Sequence, residues 1–200
     1  MKLVDFIIYA GIFVFAITGA LKARTHRMDI FGASVLAFVT AYGGGTIRDL
    51  LIGIRPINWM NDYIAFSLVF SAVIFTFLIK WNIPGFNKIV FYTDAIGLGM
   101  FTVAGIERSL SHGINDLYAV MMGVISATFG GFVADIISNN VPALLKRGEL
   151  YATACAIGGA IYIGLEKMDF NQNAKLITCV AVIVAIRIVA SRKRLELPEI

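Results

Sequence analysis

What this chain has little of narrows its function first. It holds only two cysteines, Cys155 and Cys179, in 200 residues. Both lie in apolar runs, where a packed free thiol is the usual state, so neither a disulfide framework nor a thiolate metal centre is expected. Charged side chains make up 15% of the sequence against 58% hydrophobic, with a mean hydropathy of +0.81, which excludes a soluble globular domain. The two histidines, His26 and His112, stand in separate loops without a ligand cluster and read as solvated side chains. HExxH, G-x-S-x-G and Walker sequences are all missing. Without a nucleophile or metal-ligand set the chain is not expected to be an enzyme, and no cofactor is expected. No separate h-region and cleavage site stand at the start, so the first apolar run is expected to remain a span.

Long apolar runs are what the chain has instead. Seven stretches, roughly 3–21, 29–52, 61–80, 88–106, 114–138, 149–166 and 174–191, come near the roughly 20 residues that cross a hydrocarbon core. Pro56, Pro84 and Pro142 fall near their edges, where proline ends helices. Basic residues sort onto two sides: Lys22, Arg24, Arg27, Lys80, Lys88, Lys146, Arg147, Arg192, Lys193 and Arg194 against Lys2, Arg55, Arg108, Lys167 and Lys175. The richer side is expected to be cytoplasmic, putting the N-terminus outside and the C-terminus inside the cell's inner membrane. The net charge of +4 therefore serves orientation, and nucleic acid is not an expected partner. Membrane lipids are, with the Arg192–Arg194 tail adding a weak attraction to anionic headgroups. Trp59, Tyr63, Trp81, Tyr92 and Tyr151 near span ends read as an aromatic belt.

Sliding the sequence by 86 residues lays its first part on its second. Gly11 then meets Gly97, Phe15 meets Phe101, Gly19 meets Gly105, Gly44 and Gly45 meet Gly130 and Gly131, Asp49 meets Asp135, and Pro56 meets Pro142. Such agreement without a gap predicts an internal repeat. With three spans in each copy, the second enters the membrane inverted. The expected fold is thus an all-α integral membrane protein of seven transmembrane helices: repeat 1–85, inverted repeat 86–170, and a seventh helix with a basic tail over 171–200.

Candidate chemistry gathers in the second and fifth spans. Gly43, Gly44 and Gly45, and again Gly130 and Gly131, are expected to break their helices, freeing carbonyls that could ligate cations. Asp49 and Asp135 follow four residues on. A charge at a helix centre costs roughly 2.5–3.5 kcal/mol on insertion scales, so such residues face a cavity or find partners. Arg48 can pair with either carboxylate, while Ala134 stands at its counterpart position. Thr46 and Thr128 offer hydroxyls beside the two motifs. Asp94 in the fourth span has Arg187 of the seventh as a possible partner, unless that arginine reaches the headgroups. Glu107 with Arg108 reads as an interfacial charge pair.

AYGGGTIRDLLIG over 41–53, DAIGLGMFTVAG over 94–105, and the second GG-x-x-x-D followed by VPALLKRGELYA resemble prokaryotic members of the trimeric intracellular cation (TRIC) channel family. That sequence domain is also labelled a glycine transporter. The resemblance covers both repeats. It implies a homotrimer whose protomers each hold a pore constricted at kinked second and fifth helices and permeable to potassium. Carried onto this chain, the pore motifs are Gly43–Gly45 with Arg48 and Asp49, and Gly130 and Gly131 with Asp135. The family's second Arg-Asp pair is not kept, since Ala134 precedes Asp135, and Phe129 replaces the first glycine of a second triplet. The alternative is a carrier for glycine or another small zwitterion, built on the same two motifs.

Overall fold

The computed structural model describes residues 3–79, 86–148 and 150–196; Lys2, Lys80, Trp81 and Pro84 lie outside them. Among these residues the chain is helical without a strand: α1 (Leu3–Thr25), α2 (Ile30–Leu51), α3 (Tyr63–Leu78), α4 (Phe86–Leu110), α5 (Asp116–Ile137), α6 (Tyr151–Lys167) and α7 (Gln172–Lys193). Short 3-10 turns at Asn58–Asn61 and Ala143–Leu145 follow α2 and α5. Side chains of Asp29, Asp62 and Asn115 accept hydrogen bonds from the Gly32, Ala65 and Tyr118 amides and so begin α2, α3 and α5, each cap contributing about 1 kcal/mol. Five helices, α1, α2, α4, α5 and α7, are long and apolar enough to cross a membrane. With 16 and 17 residues, α3 and α6 reach only about 24–26 Å. Apolar side chains such as Phe31, Phe77 and Leu117 point outward, as on helices whose surroundings are lipid.

A crossing of α2 and α5 holds the centre, flanked by α1 and α4. The interruption expected at the glycines is not there: α2 runs unbroken through Gly43–Gly45 and α5 through Gly130 and Gly131. Approach explains these glycines, not breakage. A Cβ on Gly44 would lie 2.2 Å from the Ser126 carbonyl oxygen, one on Gly130 2.3 Å from that of Thr40, and one on Gly43 3.1 Å from the Gly130 Cα. The roughly 1 kcal/mol that each glycine costs a helix is offset by backbone-to-backbone packing that no side chain would allow.

Contacts between the halves are reciprocal. Gly11 packs on Phe101 and Gly97 on Phe15, and the two rings stack at 4.9 Å. Outside this core α3 packs on α1 and α2, and α6 on α5 and α4. α7 has no counterpart and lies on α4 and α6. It fits because Gly99 and Gly158 leave room for Val180 and Ile183, at 3.0 and 2.4 Å from their missing Cβ positions.

Candidate functional site

Two cavities flank the α2–α5 crossing, and no residue lines both. The first, about 270 Å³, opens among the C-terminal ends of α2 and α4, the start of α1 and the turn after α2. Its anchor is Asp49, 1% exposed. One carboxylate oxygen accepts from Arg48 Nε at 2.9 Å and Nη2 at 2.7 Å; the other accepts the Asn58 amide at 3.1 Å. Arg48 Nη1 in turn donates to the Ser126 hydroxyl at 3.3 Å. The close approach at Gly44 therefore also delivers α5's hydroxyl to the guanidinium. Gly45 lines this cavity, its missing Cβ meeting nothing nearer than Arg48 at 3.8 Å. Thr46 accepts a hydrogen bond from Trp59 Nε1 at 3.0 Å. Tyr9 donates to Asp62 at 3.2 Å, and Arg108 and Asp5 complete the charged wall.

The second cavity, about 380 Å³, lies among the C-terminal ends of α1, α5 and α7 and the beginning of α4. Asp135 repeats the arrangement of Asp49 with a different cation. One oxygen accepts from Lys22 Nζ at 2.8 Å and the other from the Ala143 amide at 2.9 Å. Asp94 accepts from the Tyr151 hydroxyl at 3.0 Å and faces Arg187 at 3.6 Å. That guanidinium is held between the Phe91 and Tyr151 rings, 4.9 Å from each centroid, a geometry that favours a cation. Gly131 meets this cluster directly, its missing Cβ 2.9 Å from the Tyr151 hydroxyl.

Several residues stand elsewhere than expected. Thr128 is fully buried, donates to the Val124 carbonyl of its own helix and lines neither cavity. Glu107 accepts from Tyr162 and Gln172 instead of pairing with Arg108, because α6 and α7 bring donors to its side of α4. Tyr151 is no belt residue: 4% exposed, it spends its hydroxyl on Asp94. Ala134, fully buried, packs with Ala23 and Leu36, which leaves no volume for an arginine. Lys22 carries the largest surprise, since a basic residue at a span's end reads as a topology signal. The repeat held the clue, because Lys22 and Arg108 are themselves 86 residues apart. Among the described residues no group of three His, Cys, Asp or Glu side chains could hold a metal ion.

The family model described as glycine transporter matches twice, over residues 5–81 and 91–167, two segments offset by 86 residues. A UPF0126 membrane protein of Vibrio cholerae is 37% identical over 196 residues, 94% of this chain and 79% of that one. The UPF0126 inner membrane protein YadS of Escherichia coli K12 is 35% identical over 198 residues, 94% of this chain and 91% of that one. Among solved structures, a TRIC trimeric intracellular cation channel orthologue from Rhodobacter sphaeroides superposes with a TM-score of 0.87 at 32% identity, covering 98% of this chain and 100% of that one. A prokaryotic TRIC channel crystallised in 0.5 M KCl gives 0.88 at 29% identity, covering 98% of both. Relatives of this identity along nearly the whole length leave one assignment: the chain is a membrane protein of the prokaryotic TRIC family, the family whose sequence model is described as glycine transporter.

Proposed function

We propose that this protein is a cation channel, permeable to potassium, with a path through each protomer of a homotrimer. One observation carries the reading: two separate charged cavities, each anchored by a buried aspartate, lie on either side of a glycine-to-glycine crossing. The neighbours support it, being described as cation channels, one of them trimeric. In this reading the halves are inverted repeats, and the reciprocal contacts at the crossing are what a two-fold axis generates. The first cavity faces outside and the second, richer in basic residues, the cytoplasm.

Asp49 and Asp135 would draw cations into the two mouths, and Gly43–Gly45, Gly130 and Gly131 would leave the narrow part lined by backbone. In the described state each carboxylate is already held by a tethered cation, Arg48 or Lys22. Conduction then requires a permeant ion to share or replace that partner as the crossing loosens. Partners beyond its own copies are membrane lipids.

Recording in planar bilayers under a potassium chloride gradient tests this. Discrete currents reversing near the potassium potential are expected, and Asp49→Asn or Asp135→Asn should move the reversal potential toward zero. Silence in bilayers, together with vesicles that accumulate labelled glycine, would overturn the channel in favour of a zwitterion carrier. Currents whose selectivity is unchanged in both variants would remove the aspartates from the ion path.

A further inference from the structure

The match between the two halves fails at one groove, where α1 ends, α2 begins and α3 passes. A cavity of about 300 Å³ lies there, with Arg24, Arg27, Ala33, Val73, Thr76 and Phe77 in its wall; none of its residues lines either charged cavity. The offset of 86 residues carries Ala20, also in this wall, onto Ile106, and Thr76 onto Tyr162. Ile106 and Tyr162 are both fully buried, Tyr162 being one of the largest side chains that are. The second half thus fills with isoleucine and tyrosine a space that alanine and threonine leave open in the first. The same offset carries Arg24 onto Leu110 and Arg27 onto Gly113. Arg27 and Gly113 are both left-handed, at φ 54° and 76°, a conformation that suits glycine and strains a residue with a Cβ. The turn asks for glycine, and the first half puts an arginine there.

Membrane orientation wants positive charge on one side, but not an arginine in a left-handed turn beside an unfilled groove. The Arg27 side chain makes no hydrogen bond or ion pair among the described residues. Arg24 Nη1 donates to the Ile79 and Thr76 carbonyls at 3.0 and 3.5 Å, which fixes the side chain at the end of α3 and leaves the other donors of its fork. Asp29, the one acid in the wall, gives an oxygen to the Gly32 amide at 2.7 Å. Two guanidiniums against one carboxylate make the groove positive, and an anion that both arginines reach relieves their repulsion. The arginine fork matches phosphate oxygens. The remaining wall is apolar, and two of its side chains, Ile30 and Phe77, stand 55% and 70% exposed at the rim. A free anion gains nothing from such walls, whereas an alkyl chain does. We propose that this groove binds one anionic phospholipid, its phosphate at Arg24 and Arg27 and the start of a tail against Val73, Ala33 and Phe77. The site is discrete, unlike the diffuse attraction of the Arg192–Arg194 tail, and does not depend on the protein conducting ions.

Delipidated protein in a neutral detergent tests this, with native mass spectrometry counting retained lipid and thermal unfolding following its affinity. Phosphatidylglycerol should be retained at one lipid per chain and should raise the apparent melting temperature saturably. Phosphatidylethanolamine and phosphatidylcholine, which carry no net charge, should bind about tenfold or more weakly. Soluble glycerol phosphate, the headgroup chemistry without tails, should not compete. Arg27→Gly relieves the strained turn, so its melting temperature in detergent alone should hold or rise while its affinity for phosphatidylglycerol falls about tenfold or more. A merely destabilised variant would lose both. Replacing Arg192, Lys193 and Arg194 together by glutamine should leave the binding in place. Phosphatidylethanolamine held as tightly as phosphatidylglycerol overturns the anionic site, and so does a folded parent protein that retains neither. Competition by glycerol phosphate at the lipid's own concentration overturns the lipid in favour of a soluble anion. Undiminished binding by Arg27→Gly, or its loss in the tail variant instead, overturns the placement. The lipid series uses the parent protein alone, so a misfolded variant leaves it decisive.

Discussion

Asp49 and Asp135 occupy matching places in the two halves and are satisfied in the same way, yet by cations of different origin. Each gives one carboxylate oxygen to the first amide of the 3-10 turn after its helix, Asn58 or Ala143. For the other oxygen, the first half uses the neighbouring Arg48 and the second reaches across to Lys22 of α1. The consequence is mechanical. Arg48 locks α2 to its own end and to Ser126 of α5, whereas Lys22 ties α5 to α1 and ends in a more open cavity, its side chain 16% exposed against 8% for Arg48. The charge balance differs as well. Three carboxylates face two guanidiniums in the first cavity, and two carboxylates face three basic groups in the second.

Removing the two cations separates the halves most sharply. Arg48→Gln leaves a carboxylate that is 1% exposed with one oxygen uncompensated, the case that costs about 3–5 kcal/mol. Lys22→Gln leaves a carboxylate nearer water and should cost about 1–2 kcal/mol, between the buried and surface limits. Apparent melting temperatures in detergent would show Arg48→Gln well below Lys22→Gln. Equal losses would mean that the origin of the cation is immaterial. Next in size come Gly44→Ala and Gly130→Ala, where the halves should agree. Each new methyl meets a backbone carbonyl oxygen, at 2.2 and 2.3 Å, and backbone cannot turn aside as a side chain does. Both should lose about 1–3 kcal/mol or more, and a large difference between them would break the equivalence of the two helices at the crossing.

How much of this was legible in the sequence follows from the range of the forces involved. Hydropathy and the 86-residue offset are written locally or by repetition, so seven helices, the pairing of the halves and the two aspartates can be read directly. Whether Gly43–Gly45 break a helix cannot, because intrinsic propensity is a weak prior against tertiary contact, and the Ser126 carbonyl that occupies the space of Gly44's side chain is 82 residues away in sequence. Lys22 is hidden for a related reason. A lysine at a span's end satisfies membrane orientation whether or not a carboxylate awaits it, so its pairing with Asp135 leaves no separate mark. Tyr151 is masked likewise by its position beside the interface.

The smallest expected effect lies at Gly45 and Gly131, which the repeat makes equivalent and the structure does not. A methyl on Gly45 would enter the first cavity and touch only Arg48, at 3.8 Å, so Gly45→Ala should be close to neutral, or slightly stabilising through helix propensity. On Gly131 it would lie 2.9 Å from the Tyr151 hydroxyl, which is hydrogen-bonded to Asp94 and so cannot retreat freely. Gly131→Ala should therefore cost about 1 kcal/mol, the weight of one disturbed hydrogen bond. The double variant Gly131→Ala with Tyr151→Phe removes the obstructing oxygen. Adding Gly131→Ala to Tyr151→Phe should then cost less than adding it to the parent protein, and a thermal-stability cycle over the four proteins measures the difference. If the costs are the same in both backgrounds, the hydroxyl is not what distinguishes the second glycine from the first, and the asymmetry must come from the α5 backbone itself.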